Sequence, residues 1–256
     1  MKKDILGLPL EYGELSEYFD AHNICDDTDA KNSVIEKLLR SYKVKTVLDL
    51  TCGTGSQVFY LAKCGYAVTG ADLSPALLDM ARKKAEFEKM NIPFIDGDMR
   101  ILKVGAFDAV ITIFNAIGHL KKSDFEKTMR NISTNLKVDG LYIFDIFNLE
   151  AMTDKVVSTL LIDDVHFVND TQIYHTQYSR INRKNGRLTS YDSYKIQKNN
   201  EISKVLNHKF ALQIYRAQEL KEMLMRNGFR VVYHYGMDGS GFINKKTQNI
   251  LTIAQK

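Results

Sequence analysis

The chain has no tryptophan, three prolines and three cysteines in 256 residues, and each scarcity excludes something. So few prolines leave no proline-rich linker, and neither an internal repeat nor a low-complexity tract is present, so residues 1–256 are read as one domain. Cys25, Cys52 and Cys64 are an odd number without a C-x-x-C or a zinc spacing. That argues against a disulfide framework and fits a reducing cytoplasm, with Cys52 a small buried filler. No apolar run approaches the ~20 residues of a membrane span. The N-terminal M-K-K-D-I-L-G-L lacks a sustained apolar core and a small-residue cleavage site, so no signal peptide and no membrane partner are expected. The net charge of +4 is too small to imply nucleic acid by itself. Its distribution is uneven. Between Thr176 and Phe210 there are eight Lys or Arg against two acids, so the positive charge is concentrated in one segment.

What is present is an alternation of strand and helix patterns through the first 150 residues, the signature of a parallel sheet covered on both faces. Val47, Leu48 and Leu50 predict a short buried strand inside T-V-L-D-L-T-C-G-T-G, Thr46–Gly55. Asp49 sits near its end, and Gly53 and Gly55 turn the backbone into a helix beginning at Ser56. Glycine serves where φ must be positive or where a ligand lies against the backbone. A strand, a glycine turn and a helix N-terminus together present free N–H groups to a crevice, the usual cradle of a nucleotide-like ligand. A second strand, Ala67–Ala71, ends in A-D-L-S-P, where Asp72 can accept both hydroxyls of a ribose. A third, near Ile92–Ile95, ends in D-G-D-M and puts Asp98 and Met99 on the same rim. A nicotinamide enzyme would want a third glycine at the position of Val58, and Thr51 and Thr54 crowd the turn, which favours a ligand without a pyrophosphate.

Helices are predicted over Asn32–Tyr42, over Ser56–Lys63, from Ser74-Pro75 onward with Ser74 as cap, and over Ser123–Leu136 with Ser123 as cap and Glu126 three residues on. Phe107–Phe114 and Leu141–Phe147 complete five strands. The alternation then breaks. Val165–Tyr178, Arg187–Gln197 and Ser203–Leu212 read as three strands of an antiparallel meander, with turns at Asn185-Gly186 and Asn199-Asn200. A helix over Ala217–Asn227 with Gly228 as its C-cap, and strands Phe229–Tyr235 and Ile250–Ala254, close the chain.

The D-L-T-C-G-T-G turn, the acid ending the second strand and the third-strand acid, in that order and spacing, resemble the class I S-adenosylmethionine (SAM) methyltransferases. The meander placed after the fifth strand resembles the small-molecule N-methyltransferases, including glycine N-methyltransferase and the enzymes that dimethylate amines of nucleotide-linked deoxysugars. The resemblance implies a doubly wound, mostly parallel seven-stranded α/β sheet carrying a three-stranded antiparallel insert, residues 163–213, as a lid. It implies S-adenosylmethionine as cofactor, S-adenosylhomocysteine as product, and Asp49, Thr51, Gly53, Thr54, Gly55, Asp72, Leu73, Asp98, Met99 and Phe114 as cofactor-binding residues.

Methyl transfer from a sulfonium is an in-line displacement in which positioning supplies most of the acceleration. The acceptor site should lie beyond the fourth strand, in I-F-N-A-I-G-H-L, Ile113–Leu120. His119 there could hydrogen-bond an incoming amine or take its proton, or cap the helix that follows. Asn115 could contact a ligand or complete the turn. Tyr12 and Tyr18, in Y-G-E-L-S-E-Y-F-D, resemble the segment that folds over the methionine end of the cofactor, and with His119 they form the catalytic set. Some relatives carry an arginine soon after that tyrosine, whereas here His22-Asn23 follows. Asp145 ends the fifth strand without neighbouring strand-end acids, so no catalytic metal is expected. The basic meander, with Tyr178, Tyr191 and Tyr194, would cover a small, anionic or nucleotide-linked acceptor, or face solvent. A nucleic-acid acceptor is disfavoured because the turn after the fourth strand lacks the prolines and aromatic that grip a flipped base. A SAM-binding protein without turnover stays open, as do N against O as acceptor atom and a homodimer.

Overall fold

The computed structural model describes residues 6–25, 27–199 and 201–256. Two short 3-10 turns, Leu10–Tyr12 and Ser16–Tyr18, lead into helices α1 (Phe19–Asn23) and α2 (Thr28–Ser41). The α/β alternation follows: β1 (Thr46–Asp49), α3 (Ser56–Lys63), β2 (Ala67–Asp72), α4 (Pro75–Phe87), β3 (Phe94–Asp96), β4 (Phe107–Thr112), a 3-10 turn at Ala116–His119, α5 (Lys122–Asn135) and β5 (Leu136–Phe147). After α6 (Asp154–Ser158) come four strands, β6 (Ile162–Val168), β7 (Thr171–Asn182), β8 (Arg187–Lys198) and β9 (Glu201–Gln213). Helix α7 (Ala217–Arg226), β10 (Arg230–Tyr235) and β11 (Asn249–Gln255) end the chain.

The main sheet has seven strands in the order β10-β11-β5-β4-β1-β2-β3. Every pairing is parallel except those of β11, which runs against both β5 and β10. The centre is dry on both faces. Leu48 and Val110 pack on one side with Phe125, Met129 and Ile132 of α5, and Val47 and Ile111 on the other with Ile35 and Leu39 of α2. Each fully buried aliphatic side chain contributes about 1.5–3 kcal/mol, so β1 is fixed tightly and the loop after it starts from a rigid base.

Local chemistry sets the element ends. The Ser74 hydroxyl accepts from the Leu77 N–H and caps α4 with Pro75 in its first turn. Helix α5 differs from expectation: it starts at Lys122 after Lys121, and no side chain caps it. Ser123 is therefore inside the first turn. Strand β5 is also longer than its apolar run, because an irregularity in its pairing with β4 absorbs the polar stretch around Asp139.

The antiparallel insert stands where expected, between β5 and α7, and has one strand more than expected. The run Val165–Tyr178 is broken by Asn169, whose φ of 52° turns β6 back onto β7. Asn185-Gly186 forms the next turn, with Gly186 at φ 66° and the Asn185 side chain accepting from Arg187 N–H. The third turn holds Asn199 at φ 50°, while Asn200 of the expected Asn-Asn pair lies outside the described residues. Among the described residues no helix is long and apolar enough to cross a membrane.

Candidate functional site

Strand β1 delivers Asp49, 1 % exposed, to the rim of the sheet. Its carboxylate accepts the Thr51 N–H at 3.1 Å, and burial pushes its pKa up to about 7. The chain then turns through Gly53 (φ 53°) and Gly55 (φ 90°) into α3. A side chain on Gly55 would collide with the Phe59 ring at 2.8 Å, so glycine is required there for backbone and packing alike. Asp72, at the end of β2, binds the turn to the next helix. One carboxylate oxygen accepts Gly53 N–H at 2.8 Å and the other accepts Ser74 N–H at 2.8 Å. A carboxylate has about four acceptor positions, so both oxygens keep lone pairs for a ligand. Burial raises the Asp72 pKa against these stabilising N–H groups. Asp98 behaves oppositely: hydrogen bonds from the Arg100 guanidinium hold its pKa below the ordinary value.

These groups open onto one cavity of about 1020 Å³. It is lined by Asp49, Thr51, Gly53, Thr54, Asp72, Leu73, Asp98, Met99 and Phe114 of the expected cofactor set, and by Tyr12 and His119 of the expected catalytic set. Two expected residues stand elsewhere. Gly55 is covered by Phe59 and does not line the cavity. Tyr18 packs instead against the insert, in an apolar cluster with Leu15, Ile173, Tyr194 and Ile196. Packed there the ring is 7 % exposed, so its apolar surface is removed from water.

His119 sits at the end of its 3-10 turn, its ring edge-on to Tyr12 with centroids 5.3 Å apart and 6.1 Å from Phe210 of β9. Its Nδ1 is buried without a hydrogen-bond partner, and burial drives its pKa down to about 4. Asn115 has a structural task. Its N–H donates to Asp145, and its side-chain carbonyl accepts the Phe147 N–H at 2.9 Å, which locks two residues of positive φ, Phe114 and Asn115, against β5.

The N-terminal segment forms the cavity's other wall. The Ser74 hydroxyl donates to the Tyr12 carbonyl at 2.7 Å, the Thr54 hydroxyl donates to Asp20 at 2.6 Å, and Phe19 lies over Gly53. Asn23, Thr28 and Lys31 also line it. None of these was legible as a ligand group, since helix-surface polar residues carry no spacing signal.

Of the two expectations for the basic segment of the insert, over an acceptor or facing solvent, the cavity lining does not support the first. No residue of β6–β9 lines the cavity. Arg180 and Lys209 lie over the stacked rings of Tyr178 and Tyr191, Lys195 lies over Tyr174, and Arg183 pairs with Asp154. The basic residues that line the cavity are Lys31, Arg100 and Lys121. The first is paired with Asp27 and the second with Asp98 and Asp124. Strand alternation puts Arg180, Lys195 and Lys209 on one face of the insert with Tyr174, Tyr178 and Tyr191, whereas Lys204 reaches the N-terminal segment and pairs with Glu14.

Whether these residues suit a SAM molecule is tested by their own unmet needs. Thr51 Oγ1 and His119 Nδ1 are buried polar atoms of the cavity wall without partners, and buried polar groups are normally satisfied. A ligand bearing amine, carboxylate and ribose groups fits that demand.

Residues 47–140 match the family model described as Methyltransferase domain. A putative methyltransferase of Geobacillus sp. (strain WCH70) is 36 % identical over 129 residues, 48 % of this chain and 52 % of its own. Glycine N-methyltransferase of Oryctolagus cuniculus is 30 % identical over 176 residues, 60 % of this chain and 58 % of its own. The chain thus spans about half the length of the curated relatives it matches. Among solved structures, a SAM-dependent methyltransferase from Clostridium acetobutylicum superposes with a TM-score of 0.78 at 18 % identity, covering 95 % of this chain and 98 % of that one. A sugar N-methyltransferase from Streptoalloteichus sp. gives 0.78 at 18 % identity, covering 99 % and 97 %. At that identity the likeness is one of fold. Residues 47–140 thus carry a methyltransferase domain, on a chain whose fold is that of the class I enzymes and which resembles the small-molecule N-methyltransferases, with S-adenosylmethionine as cofactor.

Proposed function

We propose that the protein transfers a methyl group from SAM to the amine of a small molecule. The observation that carries this reading is that one cavity contains both the cofactor rim of β1–β3 and the His119–Tyr12 pair. Its volume lies at the upper end of what a single small ligand needs, which leaves room for an acceptor. Asp72 would hold the ribose, Leu73, Asp98 and Met99 would flank the adenine, and the Thr51–Gly55 turn would face the methionine end. SAM supplies an electrophilic methyl group on a sulfonium. The chain's own task is to set a neutral nucleophile about 3 Å from that carbon and exclude water.

His119 orients the acceptor. Its low pKa keeps the ring neutral at physiological pH and makes it a poor proton acceptor, so hydrogen bonding through Nδ1 is the role its setting supports. An amine suits the cavity better than an anion does, because once the ion pairs of Arg100 with Asp98 and Asp124 and of Lys31 with Asp27 are set aside, its lining carries Asp49 and Asp72 against Lys121. The N-terminal segment would cover the acceptor end, with Phe210 of the insert beside His119 but outside the cavity lining.

Incubation with tritiated SAM and matched panels of amine, hydroxyl and RNA acceptors tests this directly. Label transfer to primary or secondary amines, with equimolar S-adenosylhomocysteine, is the expected result. Transfer confined to hydroxyls or to RNA would overturn the acceptor class. SAM binding by calorimetry with no transfer to any panel would favour a binding protein without turnover.

A further inference from the structure

A second polar cluster lies where the N-terminal segment meets the inner face of the insert. Antiparallel register places His175 of β7 opposite Tyr194 of β8, and their rings stack with centroids 4.2 Å apart. His175 Nε2 lies 3.2 Å from Asp192 Oδ1, and the Tyr194 hydroxyl donates to Glu11 Oε1 at 2.5 Å. Glu11, His175 and Asp192 are at most 4 % exposed. Between them stands His22 of α1, its ring centroid 5.2 Å from that of His175 and 4.3 Å from that of His166 on β6. One donor atom each from Glu11, His22 and His175 lies within 4.8 Å of the others.

The hydrogen bonding of this cluster is incomplete. Glu11 Oε2 and both ring nitrogens of His22 are buried without partners. Leaving several such atoms unsatisfied in one place is costly, and native proteins rarely do it without a ligand. A neutral imidazole has one N–H and one lone pair, so even a His22 N–H given to Glu11 would leave the other His22 nitrogen without a partner. A divalent cation would take lone pairs from all three residues at once. Two imidazoles and one carboxylate suit zinc, with a fourth position left for water or His166. Magnesium and calcium would want oxygen ligands. The Asp192 carboxylate on His175 is the outer-shell partner that commonly orients a metal-binding histidine, and with Nε2 so engaged Nδ1 is the nitrogen His175 can offer.

We propose that Glu11, His22 and His175 bind a zinc-class transition-metal ion that ties the N-terminal segment to the insert, separate from the cavity assigned to methyl transfer. Sequence spacing could not reveal such a site, since its ligands come from positions 11, 22 and 175.

The test uses the untagged full-length protein, stripped with a chelator, dialysed, and titrated with Zn²⁺ against a chromophoric competitor. One equivalent should bind with a micromolar or tighter Kd, and Co²⁺ should give the visible absorption of a four-coordinate site. Glu11→Gln and His22→Gln should each weaken Zn²⁺ binding at least tenfold. His22 forms no hydrogen bond that folding would need, and Glu11→Gln retains an acceptor for Tyr194, so circular dichroism should show both variants folded. Absence of stoichiometric Zn²⁺ binding, or binding that survives both substitutions in folded protein, overturns the proposal. The second outcome would place the metal on surface histidines instead.

Discussion

Asp72 and His119 carry the chemistry at the scale of single residues, and their surroundings assign them different work. Asp72 already accepts two backbone N–H groups, so its loss would both loosen the glycine turn and remove the ribose acceptor. A charge-assisted hydrogen bond is worth about 1.5–3 kcal/mol, and Asp72→Ala should therefore weaken SAM binding roughly ten- to a hundredfold by calorimetry. Unchanged affinity in folded protein would dissociate the acid from the cofactor. For His119, a proton-transfer role would make removal cost ~10²–10⁴-fold. With its pKa pushed down to about 4 by burial, the ring is neutral across pH 6 to 9 and its contribution should not titrate there. His119→Ala should lower kcat about tenfold, within the range expected for lost positioning, with SAM affinity intact and the shape of the pH profile unchanged. A larger loss accompanied by a new pH dependence would return it to the role of base.

Among the elements, the turn between β4 and α5 shows how buried charge is managed. Asp145 is 1 % exposed and receives the Asn115 N–H and the Asn249 side chain, yet burial still raises its pKa from 3.8 to about 6. A carboxyl whose folded pKa is raised disfavours the native state once the unfolded chain ionises. That cost is absent below pH 4, grows between pH 4 and 6, and is constant above, reaching about 3 kcal/mol. Asp145→Asn retains an acceptor for the Asn115 N–H, so its stability relative to wild type should improve between pH 4 and pH 7, read by urea denaturation at both. A difference that stays constant with pH would mean Asp145 ionises normally.

The same scale shows what could be read in advance. Strands β1, β2 and β4, helices α3, α4 and α7 and the rim acids were legible because apolar periodicity, Ser74-Pro75 capping and the glycine turn are local signals. The uncapped start of α5 and the turn at Asn169 were not, because there the pairing of neighbouring elements, rather than local sequence, decides where the chain bends. The basic run between Thr176 and Phe210 left two readings open, over an acceptor or facing solvent. Charge along a strand says how much is present, but which face it occupies depends on register.

Across the whole molecule, the N-terminal segment is the piece that connects everything else. It reaches the insert through the Ala211 N–H on the Leu6 carbonyl at 2.6 Å and through His208 on the Leu8 carbonyl at 2.8 Å. It reaches the cofactor rim through Thr54 on Asp20 and Ser74 on Tyr12. Its buried apolar side chains are few, chiefly Leu6, Leu15 and Tyr18, so its local stability should lie well below that of the central sheet. A ligand held between this segment and the β1–β3 rim stabilises the folded state by the linkage relation, about 2.7 kcal/mol at a hundredfold excess over Kd. For a chain of this size that corresponds to a rise in Tm of roughly 5–10 °C. Hydrogen exchange should show where the gain arises. With SAM bound, amides of residues 10–25 should slow markedly, while those of β5 and β11, already protected by the core, should change little. Replacing Asp20 with Ala removes one of the two ties to the rim and should reduce the slowing in residues 10–25 without abolishing SAM binding, since Asp72 and the glycine turn are untouched. Slowing spread evenly over the sheet, or an N-terminal segment indifferent to SAM, would show that the segment is a fixed wall of the cavity rather than a part that closes on the cofactor.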